Sequence, residues 1–217
     1  MSLRGLGARR DTLYNKKMIS RFMKRFIDVI GSASGILLTF LFLPFVALAI
    51  KLEDGGPVFV RLERVSSGKI IRVFKFRSMV ENAHNFKPIL ASYNERRDGP
   101  FFKIKNDPRV TRVGRILRKF KLDELPQFFN VLTGELSLVG PRPHEPAEVI
   151  HFPGRFKKLM MAKAGMTGLS QVNGASDLPF LTELELDKHY VEKGSFFLDL
   201  KILAKTAYLM LFDYNGV

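Results

Sequence analysis

Between Val29 and Ile50 the chain runs for 22 residues without a charge, VIGSASGILLTFLFLPFVALAI. About 20 apolar residues suffice for a helix to cross a hydrocarbon layer, so a bilayer segment is the first expectation. A removable signal peptide is the alternative. The run starts late for one, lacks a small-residue cleavage pattern after it, and continues into KLEDGGPVF. Pro44 lies about two thirds of the way along, where it removes a backbone hydrogen bond and clashes with the preceding turn. A kink or break is expected there.

The flanks constrain how such a segment can sit. Residues 1–25 carry eight cations (Arg4, Arg9, Arg10, Lys16, Lys17, Arg21, Lys24 and Arg25) against one acid, Asp11, which places that side in the cytoplasm. Between Lys51 and Asn85 there are seven Lys or Arg against four acids, so the far flank is basic too. A straight crossing would carry a basic domain to the wrong side, whereas a re-entrant hairpin that enters and leaves by one face would not. The re-entrant form is therefore expected over the spanning one, with GSASG permitting close helix approach or the bend.

The remainder is long enough for one domain with a core, in a chain of 217 residues. A formal charge of +14 attracts nucleic acid, phospholipid surfaces or phosphorylated small molecules, and does not choose among them. Zero cysteines exclude disulfides, thiolate zinc sites and a cysteine nucleophile. The four histidines, 84, 144, 151 and 189, lack metal-ligand spacing, and 20 Phe without Trp suggest core and membrane contacts rather than base stacking.

GGPVFVRLERVSSGKIIRVFKFRSM alternates apolar and charged residues around a Ser-Gly turn and predicts a β-hairpin, with Lys75 and Arg77 on one strand face. Residues 82–106 predict a helix or loop. DPRVTRVGRILRKFK, 107–121, predicts a basic amphipathic helix with Val110, Val113, Ile116, Leu117 and Phe120 on one stripe, suited to an anionic membrane surface. Further helices follow, interrupted by the proline-locked GPRPHEP and a glycine-punctuated loop.

KLDELPQFFN, 121–130, then sets Asp123 beside Glu124 in this basic setting. At a helix start, with Pro126 in the first turn, Asp123 serves as a cap and Glu124 in the first turn stabilises the helix dipole. Carboxylates among many cations also hold Mg²⁺, and a carboxylate can attack phosphorus to form an acyl phosphate. The residues alone leave both readings open.

KRFID, KFRSM, NDPRVTRVGRILRKFKLDELPQFFNVLTGELSLVGPRP, GMTGLSQVNG and LDKHYV followed by LDLKIL together resemble the bacterial sugar transferases, the monotopic polyprenyl-phosphate phosphoglycosyl transferases, over residues 20–213. The resemblance implies transfer of a sugar phosphate from a UDP-sugar to polyprenyl (undecaprenyl) phosphate, with release of UMP, as the first membrane step of a glycan or exopolysaccharide pathway. It implies that Asp123 is the nucleophile and contacts Mg²⁺, that Glu124 is its partner, and that Arg118 contacts phosphate. Pro141, Arg142 and Pro143 are implied at the uridine end of the donor. Lys24, Arg25 and Asp28 are implied near the lipid phosphate and the entry of a re-entrant helix broken at Pro44, and Lys75 and Arg77 are supporting candidates. Two departures stand out: Leu43 replaces the family's usual serine before the proline, and Ala175 replaces an arginine that often closes the QVNG motif.

The expected architecture is α+β. A basic extension (1–20) and a re-entrant helix-break-helix (21–51) precede a mostly helical cytoplasmic catalytic domain (52–217) with a small β-hairpin and amphipathic interfacial helices. The expected setting is the bacterial inner membrane and its lipids, monotopic, without nucleic acid. The rival reading is a non-catalytic membrane-docked scaffold that binds anionic lipid or nucleic acid through basic faces alone.

Overall fold

A computed structural model describes residues 3–212, with side chains from residue 22 onward. The first helix, α1, is Leu3–Asp54. The cations of the N-terminal extension before Phe22 lie outside the described side chains. Pro44 sits inside α1 and does not end it, so the expected helix-break-helix is corrected to one unbroken helix. The physical reason is local. Proline removes one bond, to the carbonyl four residues back, and Pro44 is on the exposed face, away from the packed one.

That packed face is read directly from spacing. Asp28, Ser32, Gly35, Thr39, Val46 and Ile50 are buried, a helical three-to-four repeat, while Phe22, Phe26, Leu37, Leu41, Phe45, Leu48 and Leu52 point outward. The buried stripe is met by the rest of the chain along its length. Near one end, Lys24 Nζ donates to Asp199 Oδ2 at 2.8 Å and Arg25 donates to the carbonyls of Val131 and Leu132. In the middle, Gly35 lies against the Phe128 ring, where an added Cβ would come within 2.3 Å, and Thr39 Oγ1 donates to the Leu125 carbonyl. At the other end Val46 and Ile50 join a core with Phe76, Leu117 and Leu125, and Asp54 pairs with Arg77.

After α1 the hairpin forms as predicted, β1 Phe59–Ser66 against β2 Lys69–Phe76, with Ser66 opposite Lys69. Ser67 and Gly68 both take positive φ, as a two-residue turn compatible with strand twist requires. Short 3-10 turns cover part of 82–106. The predicted basic helix is shorter than 107–121: α2 is Arg112–Lys119, capped by the Thr111 side chain on Gly114 N at 2.9 Å. Its apolar stripe divides. Leu117 is buried in the core, whereas Ile116 and Phe120 are exposed.

Next come α3, Gln127–Thr133, a two-stranded parallel pairing of β3 Ser137–Val139 with β4 Gly165–Thr167, and the intervening α4, Pro146–Val149. The chain closes with α5, Phe180–Lys193, and α6, Phe196–Phe212. The fold is thus mixed α+β, a long apolar N-terminal helix on a mostly helical body with two small sheets. Helix α6, which contacts α1, also leaves Phe197, Tyr208, Leu211 and Phe212 exposed.

Candidate active site

The acidic pair sits in a 3-10 turn, Leu122–Glu124, between α2 and α3. Lys121 takes a left-handed conformation (φ 55°) just before it, which turns the chain sharply so that the pair faces back toward β2. Asp123 is not the cap of α3; that position is Pro126. The capping role open in the sequence is therefore excluded for that helix.

From β2, Lys75 reaches the pair. Its Nζ lies 2.5 Å from Glu124 Oε1 and 3.8 Å from Asp123 Oδ2. Burial raises the pKa of Asp123; Lys75 opposes this and the Glu124 charge adds to it. Burial acts on Glu124 in the same sense, but the ammonium of Lys75 outweighs it and holds that carboxyl well below the usual range. The Glu124 side chain is 34% exposed, so solvent moderates the effect and its direction rests on the short contact. Burial lowers the pKa of Lys121, against the pull of both acids. Arg118 is held through Nε by Ser78 Oγ at 2.9 Å. That bond is possible because α2 presses on the segment after β2: a Cβ on Gly114 would lie 2.0 Å from the Ser78 carbonyl.

Two cavities meet here. The first, about 380 Å³, is polar and is lined by Asp123, Glu124, Lys75, Arg142, Pro143 and residues farther along. The second, about 280 Å³, is mostly apolar, with Leu38 of α1, Phe128 of α3 and Leu203, Leu209 and Met210 of α6. They share Arg118, Lys121, Glu124, Met166 and Gln171. A cationic, carboxylate-bearing junction thus joins a wet chamber to a greasy one.

The remaining sequence-derived candidates divide. Arg142 Nε approaches Glu183 Oε1 at 3.7 Å, while the Pro141 carbonyl accepts from Gly165 N. Arg77 does not share a site with Lys75: it is buried and turned to Asp54, because it lies just past the end of β2. Lys24, Arg25 and Asp28 line neither cavity and instead fasten α1 to the body. Asp28 accepts from Ser137 Oγ at 3.0 and 2.9 Å and from Leu138 N at 2.8 Å. Ala175 is fully buried with φ 45° and lines neither cavity.

Residues that the sequence reading did not single out are Arg64, Arg96, Gln171, Glu183 and Asp187. Asp187 accepts from Ser170 Oγ at 2.7 Å and from Arg142 N at 3.0 Å, and burial raises its pKa to about 6. It thereby fixes the backbone of the Pro-Arg-Pro segment. Gln171 belonged to the quoted GLSQVNG motif and could have been found there. Nothing in the local pattern around Glu183 marks it as different from any helical acid.

A polar chamber thus meets a mostly apolar one at Glu124, Arg118 and Lys121, with the buried Asp123 beside them. The bacterial sugar transferase family profile matches residues 19–213, and the chain belongs to that family. It is 41% identical, over 90% of its length, to a UDP-galactose-lipid carrier transferase of Erwinia amylovora and to an undecaprenyl-phosphate galactose phosphotransferase of Salmonella typhimurium. It spans 42% of the length of each of these. The exopolysaccharide production protein ExoY of Sinorhizobium fredii is 39% identical, with 87% of this chain covering 85% of that protein.

Proposed function

We propose that the protein transfers a sugar 1-phosphate from a UDP-sugar to polyprenyl phosphate, giving polyprenyl-diphosphate-sugar and UMP, and so starts a membrane-bound glycan. The observation that carries this reading is the meeting of the two cavities at Glu124, Arg118 and Lys121, with Asp123 next to them on the polar side. One substrate of such a reaction is a polar diphosphate, and the other is a hydrocarbon chain ending in phosphate. Each needs its own chamber, and both phosphates must reach the same carboxylate.

In the first step an Asp123 carboxylate oxygen attacks the sugar-bearing phosphorus. A bond forms to Asp123, the bond to the bridging oxygen breaks, and UMP leaves. In the second, a phosphate oxygen of the polyprenyl acceptor attacks the same phosphorus and Asp123 is released. Arg118 and Lys121, which border both chambers, hold negative charge through both steps. Lys75 keeps Glu124 ionised and leaves Asp123, at 3.8 Å, the less tightly paired of the two acids.

Magnesium fits this arrangement. Mg²⁺ is commonly held by one or two carboxylates, with phosphate oxygens and waters completing its shell. Asp123 and Glu124 border the polar cavity, and no group of three or more metal-binding side chains occurs among the described residues. Asp123 would hold the ion, which would neutralise charge on the diphosphate.

The placement in the bilayer follows from α1. From Lys24 to Asp54 the helix is about 45 Å long, against about 30 Å for the hydrocarbon core. Both its ends bond to the same domain, through Lys24 to Asp199 and Asp54 to Arg77. With both ends held by one domain, the unbroken α1 supports a monotopic placement in which it stays with that domain on the cytoplasmic face, the outward sides of α1 and α6, Ile116 of α2 and the following Phe120 turned to lipid.

A screen of UDP-sugars with undecaprenyl phosphate and Mg²⁺, read as UMP release, tests the activity. Asp123→Asn should abolish release while the protein stays in membranes, and an unaffected rate refutes the nucleophile. Activity lost to EDTA should return with Mg²⁺. Tags at both termini should report cytoplasmic, and a periplasmic C-terminus refutes the topology.

A further inference from the structure

Four buried side-chain atoms that line the polar cavity lack a hydrogen-bond partner among the described residues: Arg96 Nη2, His144 Nε2, Gln171 Oε1 and Glu183 Oε1. Arg96, His144 and Glu183 are 9%, 4% and 1% exposed. Buried polar atoms are as a rule paired, so four around one chamber mark groups set for a ligand.

Their chemistry narrows what that ligand offers. Glu183 is already charge-compensated, by Arg96 Nη1 at 3.4 Å and Arg142 Nε at 3.7 Å, so what its Oε1 lacks is a hydrogen-bond donor. The Gln171 amide is oriented by its Nε2, which donates to the Met166 carbonyl at 2.8 Å, leaving its oxygen as an acceptor too. A phosphate offers only acceptors and meets repulsion at both. A nucleobase edge could satisfy them, but a base also wants a flat aromatic face. Phe101 is stacked on His144 at 4.9 Å and has the Arg96 guanidinium 4.9 Å from its centroid, and Phe102 carries Arg109 and Lys87. A hydroxyl-rich ring, whose every hydroxyl both donates and accepts, suits mixed acceptors and donors without a stacking slot.

We propose that this part of the cavity is the subsite for the sugar ring of the donor, with Glu183 and Gln171 accepting from its hydroxyls and Arg96 donating to them, and that these residues set which sugar is used. The proposal rests on the transferase reading above. It leaves the uridine to the Pro-Arg-Pro side.

The test uses the full chain in nanodiscs, with UDP-glucose, UDP-galactose and their N-acetyl forms as donors and UMP as inhibitor. In Glu183→Gln, the ratio of kcat/KM between the best and second-best donor should change about tenfold, the scale of losing a matched bond to a substrate hydroxyl. In Gln171→Met, a position whose side chain does not pair with Arg142, inhibition by UMP should stay within about twofold of wild type, since UMP lacks the sugar. Equal losses on all donors, or a parallel weakening of UMP inhibition in Gln171→Met, would overturn the subsite. Should thermal unfolding show that Glu183→Gln does not fold, Gln171→Met is judged by the donor ratio as well. A wild type that turns over no donor overturns the transferase reading itself; an active wild type whose variants keep the donor preference overturns only the sugar subsite.

Discussion

Lys75 Nζ stands 2.5 Å from Glu124 and 3.8 Å from Asp123, so one cation serves two adjacent acids unequally. The nearer acid is held ionised. The farther one, 9% exposed, is raised by burial and is restrained mainly by Lys75. The proposed nucleophile Asp123 must be ionised to attack, so the acid limb of the pH profile for UMP release should lie above the ordinary aspartate value. Lys75→Met removes the restraint and should move that limb to higher pH. A limb that stays in place would show that Lys75 does not act on Asp123.

Lys121 combines a strained backbone with a functional charge. A residue bearing Cβ at φ 55° costs about 1 kcal/mol, which glycine does not incur. Lys121→Gly should therefore cost little or no stability, while UMP release falls about tenfold or more with the loss of a cation shared by both chambers. Thermal unfolding and initial rates on the same sample separate the two effects. A large fall in unfolding temperature would contradict this.

Asp28 fastens α1 to the body with three bonds, from Ser137 Oγ to both carboxylate oxygens and from Leu138 N to one. Asp28→Ala should lower stability by about 2–4 kcal/mol, since the Leu138 N–H and the Ser137 hydroxyl lose a charged acceptor. Unfolding in nanodiscs measures this, and a shift under about 0.5 kcal/mol would rule out the role.

Asp187 gives a pH dependence of the opposite sense to the usual carboxylate. Its folded pKa of about 6 lies above the ordinary 3.8. A raised acid contributes stability that is full below its unfolded value and is lost as pH rises through its folded one. The unfolding temperature should fall between pH 4 and 6 from this group, and Asp187→Asn should flatten that part of the curve. Glu183, also raised by burial, titrates in the same direction and sets what slope remains.

How far the chain could be read in advance varies with the kind of signal. The β-hairpin was legible because alternation and a Ser-Gly turn are local, and Ser66 and Lys69 flank that turn as expected. The acidic pair and Arg118 were legible because they lie within one short motif. The partners of Lys24 and Arg25 were not. Both cations looked like lipid-phosphate ligands, but their bonds go to residues 106 to 175 positions away, which no periodicity encodes. Glu183 was hidden for the same reason: only the folded cavity reveals that its oxygen lacks a donor. The break at Pro44 was inferred from the intrinsic cost of proline, and the packing of α1 on both sides of it outweighs that cost.

The apolar helix is not an anchor tied to a finished enzyme. Val46 and Ile50 fill the same core as Phe76, Leu117 and Leu125, the last of these next to the acidic pair. Removing α1 to obtain a water-soluble fragment would therefore strip one wall from the core directly behind the reacting carboxylate. Under the proposed function, truncating α1 should remove activity together with membrane attachment, because the same side chains serve both.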